Sequence, residues 1–168
     1  MFVPFDLLPA SSRIWIFQSN RPFSETELVQ VGETLGDFAE RWAAHGSPLK
    51  TSFAVKFNQF IILAADETHE APSGCSIDSS VRVLESLEQA FGIDLFDRNQ
   101  IAFRTTDGIR LIPMQHLKQK FQDGTLTEGT LTFNNLVSTK SALDHEWVVP
   151  AGNTWLKRYI PNELAKVK

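Results

Sequence analysis

Ile14-Trp15-Ile16-Phe17 is an unbroken apolar run. A strand buried on both faces has this composition, so the run predicts a strand from Arg13 to Gln18 at the centre of a sheet. Ser24 with Glu27 three residues on is a capping-box pattern and opens a helix. Leu28, Val31, Leu35, Phe38 and Trp42 follow at helical spacing as one apolar stripe, and Gly46 after His45 reads as the C-terminal cap. The period then changes to two. Leu49, Thr51, Phe53, Val55 and Phe57 alternate with Lys50, Ser52, Ala54 and Lys56, a strand with Phe53 and Phe57 turned to the core. A tight turn near Asn58-Gln59 leads to a second strand, Phe60 to Ala64. Beyond a polar loop from Asp66 to Gly74, a second helix begins near Cys75 or Ser76. Its inner side carries Ile77, Val81, Leu84, Leu87 and Phe91, and Gly92 stops it.

Gln100 to Arg104 reads as a further strand, Asp107-Gly108 as a hairpin turn and Ile109 to Ile112 as the returning strand. Pro113 suits the start of a short helix through Leu117 and Phe121, closed by Gly124. Leu131-Thr132-Phe133 and Trp147-Val148-Val149 are short strands, and Trp155 to Ile160 is a helical turn or two before Pro161, with the last residues fraying. The order through Arg104 is strand, helix, strand, strand, helix, strand. That is the split βαβ pattern of ferredoxin-like folds, an antiparallel sheet with two helices. The expected class is α+β, with a ferredoxin-like core over 1–105 and a small C-terminal hairpin–helix extension over 106–168 packed on it.

Composition narrows the function classes. The 168 residues include thirteen Phe and four Trp, enough for an aromatic-rich core without metal or disulfide. Net charge is −4, and the basic residues come no closer than pairs such as Lys118 with Lys120 or Lys157 with Arg158. No stripe matches a run of phosphates, which argues against nucleic acid, and no polybasic or long apolar segment suits a membrane. Cys75 is the single cysteine, so no internal disulfide points to an oxidising compartment. Pro4, Asp6 and Pro9 interrupt the apolar start, which does not read as a secretory signal. A soluble cytoplasmic protein is the expectation.

Three stretches together carry a resemblance. They are Val3-Pro4-Phe5 with Arg13-Ile14-Trp15-Ile16, Ser73-Gly74-Cys75-Ser76-Ile77-Asp78-Ser79-Ser80, and Leu131-Thr132-Phe133-Asn134-Asn135-Leu136-Val137. Along most of its length the chain resembles a family of small bacterial proteins that sometimes carry the label "ABC transporter ATPase". The resemblance supplies no catalytic residues. The label also lacks its chemistry here: none of the nine glycines opens the Gly-x-x-x-x-Gly-Lys-Ser/Thr loop that wraps phosphates. Leu117 through Gly124, Thr130-Leu131 and Trp147-Val148-Val149-Pro150-Ala151 resemble bacterial GYF-type domains, although the Gly-Tyr-Phe itself is missing and Asp144-His145-Glu146 are inserted. That resemblance implies binding, as eukaryotic relatives bind proline-rich peptides.

Candidate chemistry concentrates at Ser73 to Ser80. A helix starting here leaves backbone N–H groups unpaired, and such an end favours a thiolate or a bound oxyanion. Cys75 is then the nucleophile, His69 its general base and Asp78 or Glu70 the orienting carboxylate. Gly74, Ser76 and Ser79 would bind the ligand. The alternative is a serine-rich cap beside a solvated acidic loop. His69, carboxylates and Cys75 lack a recognised metal spacing, and Asp144-His145-Glu146 do not share a helix face, so no metal or other cofactor is expected. Lys50 to Phe57 matches an RNA-binding strand at Lys50, Val55 and Phe57 alone. Trp155 is the interface candidate among the tryptophans. Two functions follow: a non-catalytic binding or assembly module for a protein or small anionic ligand, which a homo-oligomer would satisfy, or a thiol-dependent enzyme working through Cys75.

Overall fold

Along the chain, a 3₁₀ turn at Phe5–Leu7 precedes strand β1 (Arg13–Gln18) and helix α1 (Glu25–Arg41). A small hairpin of β2 (Ala43–Ala44) and β3 (Ser47–Pro48) leads to a longer one of β4 (Lys50–Lys56) and β5 (Phe60–Asp66), then to α2 (Gly74–Phe91). After these come β6 (Gln100–Thr105), β7 (Gly108–Pro113), α3 (Leu117–Gln122), β8 (Leu131–Phe133), α4 (Lys140–Glu146) and β9 (Val148–Pro150). The structure is a computed structural model that describes residues 1–162; the expected fraying of the last residues concerns positions outside that range. The mixed α/β content with antiparallel sheets agrees with the expected class. Among the described residues no helix is long and apolar enough to cross a membrane. The chain divides into two units: Met1–Asp97 with Leu136–Asp144, and Arg98–Asn135 with the chain from His145 onward.

The first unit is built on an antiparallel sheet in the order β1-β5-β4. Ile61, Leu63 and Ala65 on one face of β5 pack with Val31 and Leu35 of α1 and Leu84 and Leu87 of α2. Phe60, Ile62 and Ala64 on the opposite face are buried as well. Complete burial of a Leu or Val side chain is worth about 1.5–3 kcal/mol, so this central strand and its two helices dominate the unit's stability. The doubly buried strand is therefore β5. β1, expected at the centre, lies at the end of the sheet, because its aromatic residues shield themselves. Trp15 lies under the Arg13 guanidinium at 4.8 Å and against Trp42 at 5.6 Å, so it stays half-buried without a second strand beside it.

Local signals are realised with shifts. Ser24 and Glu27 form the full capping box of α1. The helix ends at Arg41, because Trp42 turns extended (ψ 125°) while its indole N–H donates to the Ser76 carbonyl at 2.8 Å. Gly46 is consequently not the cap of α1. His45 (φ 50°) and Gly46 (φ 80°) instead form the left-handed two-residue turn between β2 and β3. The turn after β4 falls at Phe57 and Asn58, both near φ 53°, which places Phe57 at an exposed tip, not in the core. α2 is capped by Ser73 and starts at Gly74, a residue earlier than expected, and left-handed Gly92 (φ 64°) ends it.

The second unit holds a sheet in the order β7-β6-β8-β9. β6 therefore pairs with β7 and β8 and is not a fourth strand beside β1. The hairpin turn falls at Thr106-Asp107, with Gly108 at φ 118° as the first residue of β7. Phe103 and Ile112 of the sheet pack with Leu117 and Phe121 of α3 and with Leu156.

Candidate functional site

Helix α2 begins where it does because two serines satisfy each other. Ser73 Oγ accepts the Ser76 N–H, and Ser76 Oγ accepts the Ser73 N–H, each at 3.2 Å. Ser76 Oγ also donates to the Ala43 carbonyl at 2.6 Å, so the capping box fastens the β2–β3 hairpin to the helix. With the Trp42 indole on its carbonyl, Ser76 is buried at 2% exposure. The result is an open cleft of about 490 Å³ lined by Ala43, His45, Gly46, Ser73, Gly74, Cys75, Ser76 and Ser79.

The first free N–H groups of α2 lie at this cleft. Ser76 N–H goes to Ser73 Oγ and Ile77 N–H to the Ser73 carbonyl, but those of Gly74 and Cys75 have no hydrogen-bond partner among the described residues. The first turn of α2 carries no acidic side chain, whereas that of α1 carries Glu25 and Glu27. The positive end of α2 is thus left uncompensated. At Gly74 a methyl group would meet no atom within 4 Å, so the backbone there is open to approach. Cys75 is exposed. Ser79 Oγ donates to the Cys75 carbonyl at 2.9 Å and accepts from Arg82 Nη2 at 3.3 Å, which brings a guanidinium next to the rim.

The structure thus brings together Gly74, Cys75, Ser76 and Ser79 of the residues singled out from the sequence. It does not bring His69 or Asp78 to the cleft lining. His69 is exposed in the loop after β5 and belongs to the surroundings of Asp66. The Asp66 carboxyl lies below its ordinary value because it accepts from the Thr68 hydroxyl and N–H, with Lys50 and His69 adding to the same effect. Asp78 is exposed on α2 one turn beyond the cap. The histidine that does line the cleft with Cys75 is His45. Its signal in the sequence was the His45-Gly46 pair, a hairpin-turn dipeptide that also reads as a helix end. Among the described residues no group of three or more His, Cys, Asp or Glu side chains could hold a metal. Asp144, His145 and Glu146 end α4 as exposed residues, and Trp155 is 40% exposed in the second unit. No protein-family model, curated protein or solved structure matches the chain.

Proposed function

We propose that this protein is a non-catalytic binding module whose cleft at the start of α2 takes a small anionic group, a phosphate or a carboxylate. The observation that carries the reading is the pair of N–H groups, Gly74 and Cys75, with no hydrogen-bond partner among the described residues, on a cleft of about 490 Å³. Backbone N–H groups at a helix N-terminus are the general solution for holding such anions. The same reading takes the first unit as a three-stranded variant of the split βαβ fold and the protein as cytoplasmic.

Gly74→Pro tests it. Gly74 is the first helical residue, where proline fits and removes one N–H, and Ser73 (φ −84°, ψ 170°) already has the extended backbone that precedes proline. The variant keeps the fold. Titration with inorganic phosphate, followed by amide NMR, shifts Gly74 and Cys75 saturably in the parent and is weakened by the proline. Phosphate shifts elsewhere, or none at these two amides, would end the proposal.

Exposed Cys75, with His45 in the same cleft lining, favours one second reading, a thiol nucleophile with the same amides as oxyanion donors. Cys75→Ser separates the two. It leaves phosphate binding intact under the first reading and abolishes turnover of a thioester or activated ester under the second.

A further inference from the structure

The second unit carries a surface unrelated to the cleft. Trp155–Tyr159 form a 3₁₀ turn held from below by Leu156, which is 1% exposed and packs with Leu117 and Phe121. Thr154 fixes its start, donating to the Ala151 carbonyl at 2.8 Å and accepting the Leu156 N–H at 3.2 Å. On the outer side Tyr159 meets Trp155 edge-on, with centroids 5.9 Å apart. The Arg158 guanidinium lies over both rings, 5.6 Å from Trp155 and 5.2 Å from Tyr159.

We propose that this Trp155–Arg158–Tyr159 surface docks an acidic segment of a partner protein. A guanidinium held against aromatic rings by cation–π attraction keeps its remaining N–H groups for a carboxylate. Among the described residues Arg158 donates one hydrogen bond, a long one of 3.4 Å to the Tyr159 hydroxyl. Neither it nor Lys157 has an ion pair among the described residues; Glu128, whose carbonyl takes the Gly152 N–H at 2.8 Å, forms none with either. Trp155, 40% exposed, has its ring against Tyr159 and Arg158, so docking costs little side-chain entropy. The wider field has the matching sign. The described residues of this unit hold seven Lys and Arg against four Asp and Glu, whereas the first unit holds seven against fifteen. A segment that alternates carboxylates with apolar side chains satisfies cation and ring together.

The probe is an acetylated hexapeptide of alternating glutamate and leucine, titrated into the full chain. The readout is the Trp155 indole N–H resonance, assigned through Trp155→Phe. Saturable movement is expected, with binding about tenfold weaker for the glutamine counterpart, for Arg158→Gln and at high salt. Arg158→Lys keeps the charge but not the fork and falls between. No saturable movement at millimolar peptide would overturn the proposal, as would equal binding of the glutamine peptide or indifference to Arg158→Gln. Tighter binding of oligothymidylate than of the acidic peptide would overturn it in favour of nucleic acid.

Discussion

Arg21 serves four acceptors with one side chain. Its Nη1 and Nη2 donate to the two Glu27 oxygens at 2.7 and 2.9 Å, Nη2 also reaches the Phe91 carbonyl at 2.8 Å, and Nη1 reaches the Pro22 carbonyl at 3.1 Å. The start of α1 is thereby tied to the end of α2, through a carboxylate that also accepts the Ser24 N–H at 2.9 Å. The Arg21 hydrogen bonds, followed by that of Ser24, hold the Glu27 carboxyl down to about 2. An unfolded glutamate titrates near about 4.3, so the folded value is the lower one and the sign follows. The stabilisation is complete above roughly pH 5 and drains away as the pH falls toward 2. Glu27→Gln removes this dependence, so urea midpoints measured from pH 6 to pH 2 should fall less steeply in the variant than in the parent. Parallel curves would show that Glu27 contributes nothing. The capping half of this arrangement was legible, since Ser24 and Glu27 are three residues apart. The clamp was not, because Phe91 is seventy residues from Arg21 and no local pattern encodes the meeting.

The start of α2 turns on unequal serines. Ser73 caps the helix from a half-exposed position, and replacing such a cap by alanine costs about 1 kcal/mol. Ser76, itself 2% exposed, does more: Ser76→Ala would strip the Ala43 carbonyl and the Ser73 N–H, both partly buried, of their partners. Leaving polar groups unpaired costs up to about 1–3 kcal/mol where they are buried and less where they are partly so, and two groups are affected, so Ser76→Ala should destabilise more than Ser73→Ala in chemical denaturation. It should also loosen the β2–β3 hairpin and with it the cleft, which amide exchange at Ala44 would report. Periodicity located α1 and α2, because each buries one face and repeats a local signal, whereas the β4–β5 hairpin was read from the alternation along β4 and the apolar run of β5. Strand neighbours were less legible. β1 and β5 are both apolar runs, and only pairing distinguishes the end of the sheet from its middle. Gly46 misled for a related reason: a glycine after an apolar stripe suits a helix end or a hairpin, and the choice was made by a Trp42–Ser76 bond spanning 34 residues. The site was legible where it is local, as a serine-rich cap around Cys75, and illegible where it depends on the hairpin that delivers His45.

At the scale of the whole chain, the first unit is discontinuous. Leu136–Asp144 returns to it after the second unit has begun. The returning segment runs alongside the start of β1: the Ile14 N–H donates to the Ser138 carbonyl at 2.9 Å, and the Lys140 and Ser141 N–H groups donate to the Ser12 and Ala10 carbonyls, each at 2.9 Å. Thr139 bridges to Arg13, and the Lys140 ammonium donates to the Asp6 and Leu8 carbonyls at 3.1 and 2.7 Å while lying 5.7 Å from the centre of the Phe5 ring. These bonds cover the otherwise open side of β1 at its first two residues, Arg13 and Ile14, and anchor the turn before it. A chain ending at Thr105 contains every strand of the β1-β5-β4 sheet and both long helices, yet lacks all of them. Each lost backbone bond is worth about 0.5–1.5 kcal/mol net, and burial of Leu8 and Ile14 depends on their surroundings staying in place. The fragment should therefore be less stable than the first unit in the full chain by several kcal/mol, a large part of the roughly 5–15 kcal/mol of an ordinary domain. Urea unfolding followed by tryptophan fluorescence would measure it, since Trp15 and Trp42 both lie in this unit. A fragment as stable as the unit in the intact protein would mean that the returning segment decorates the sheet without supporting it. Lys140→Met in the full chain isolates the ammonium: it should lower the midpoint modestly and speed amide exchange near Leu7 and Leu8, leaving the β4–β5 hairpin unchanged.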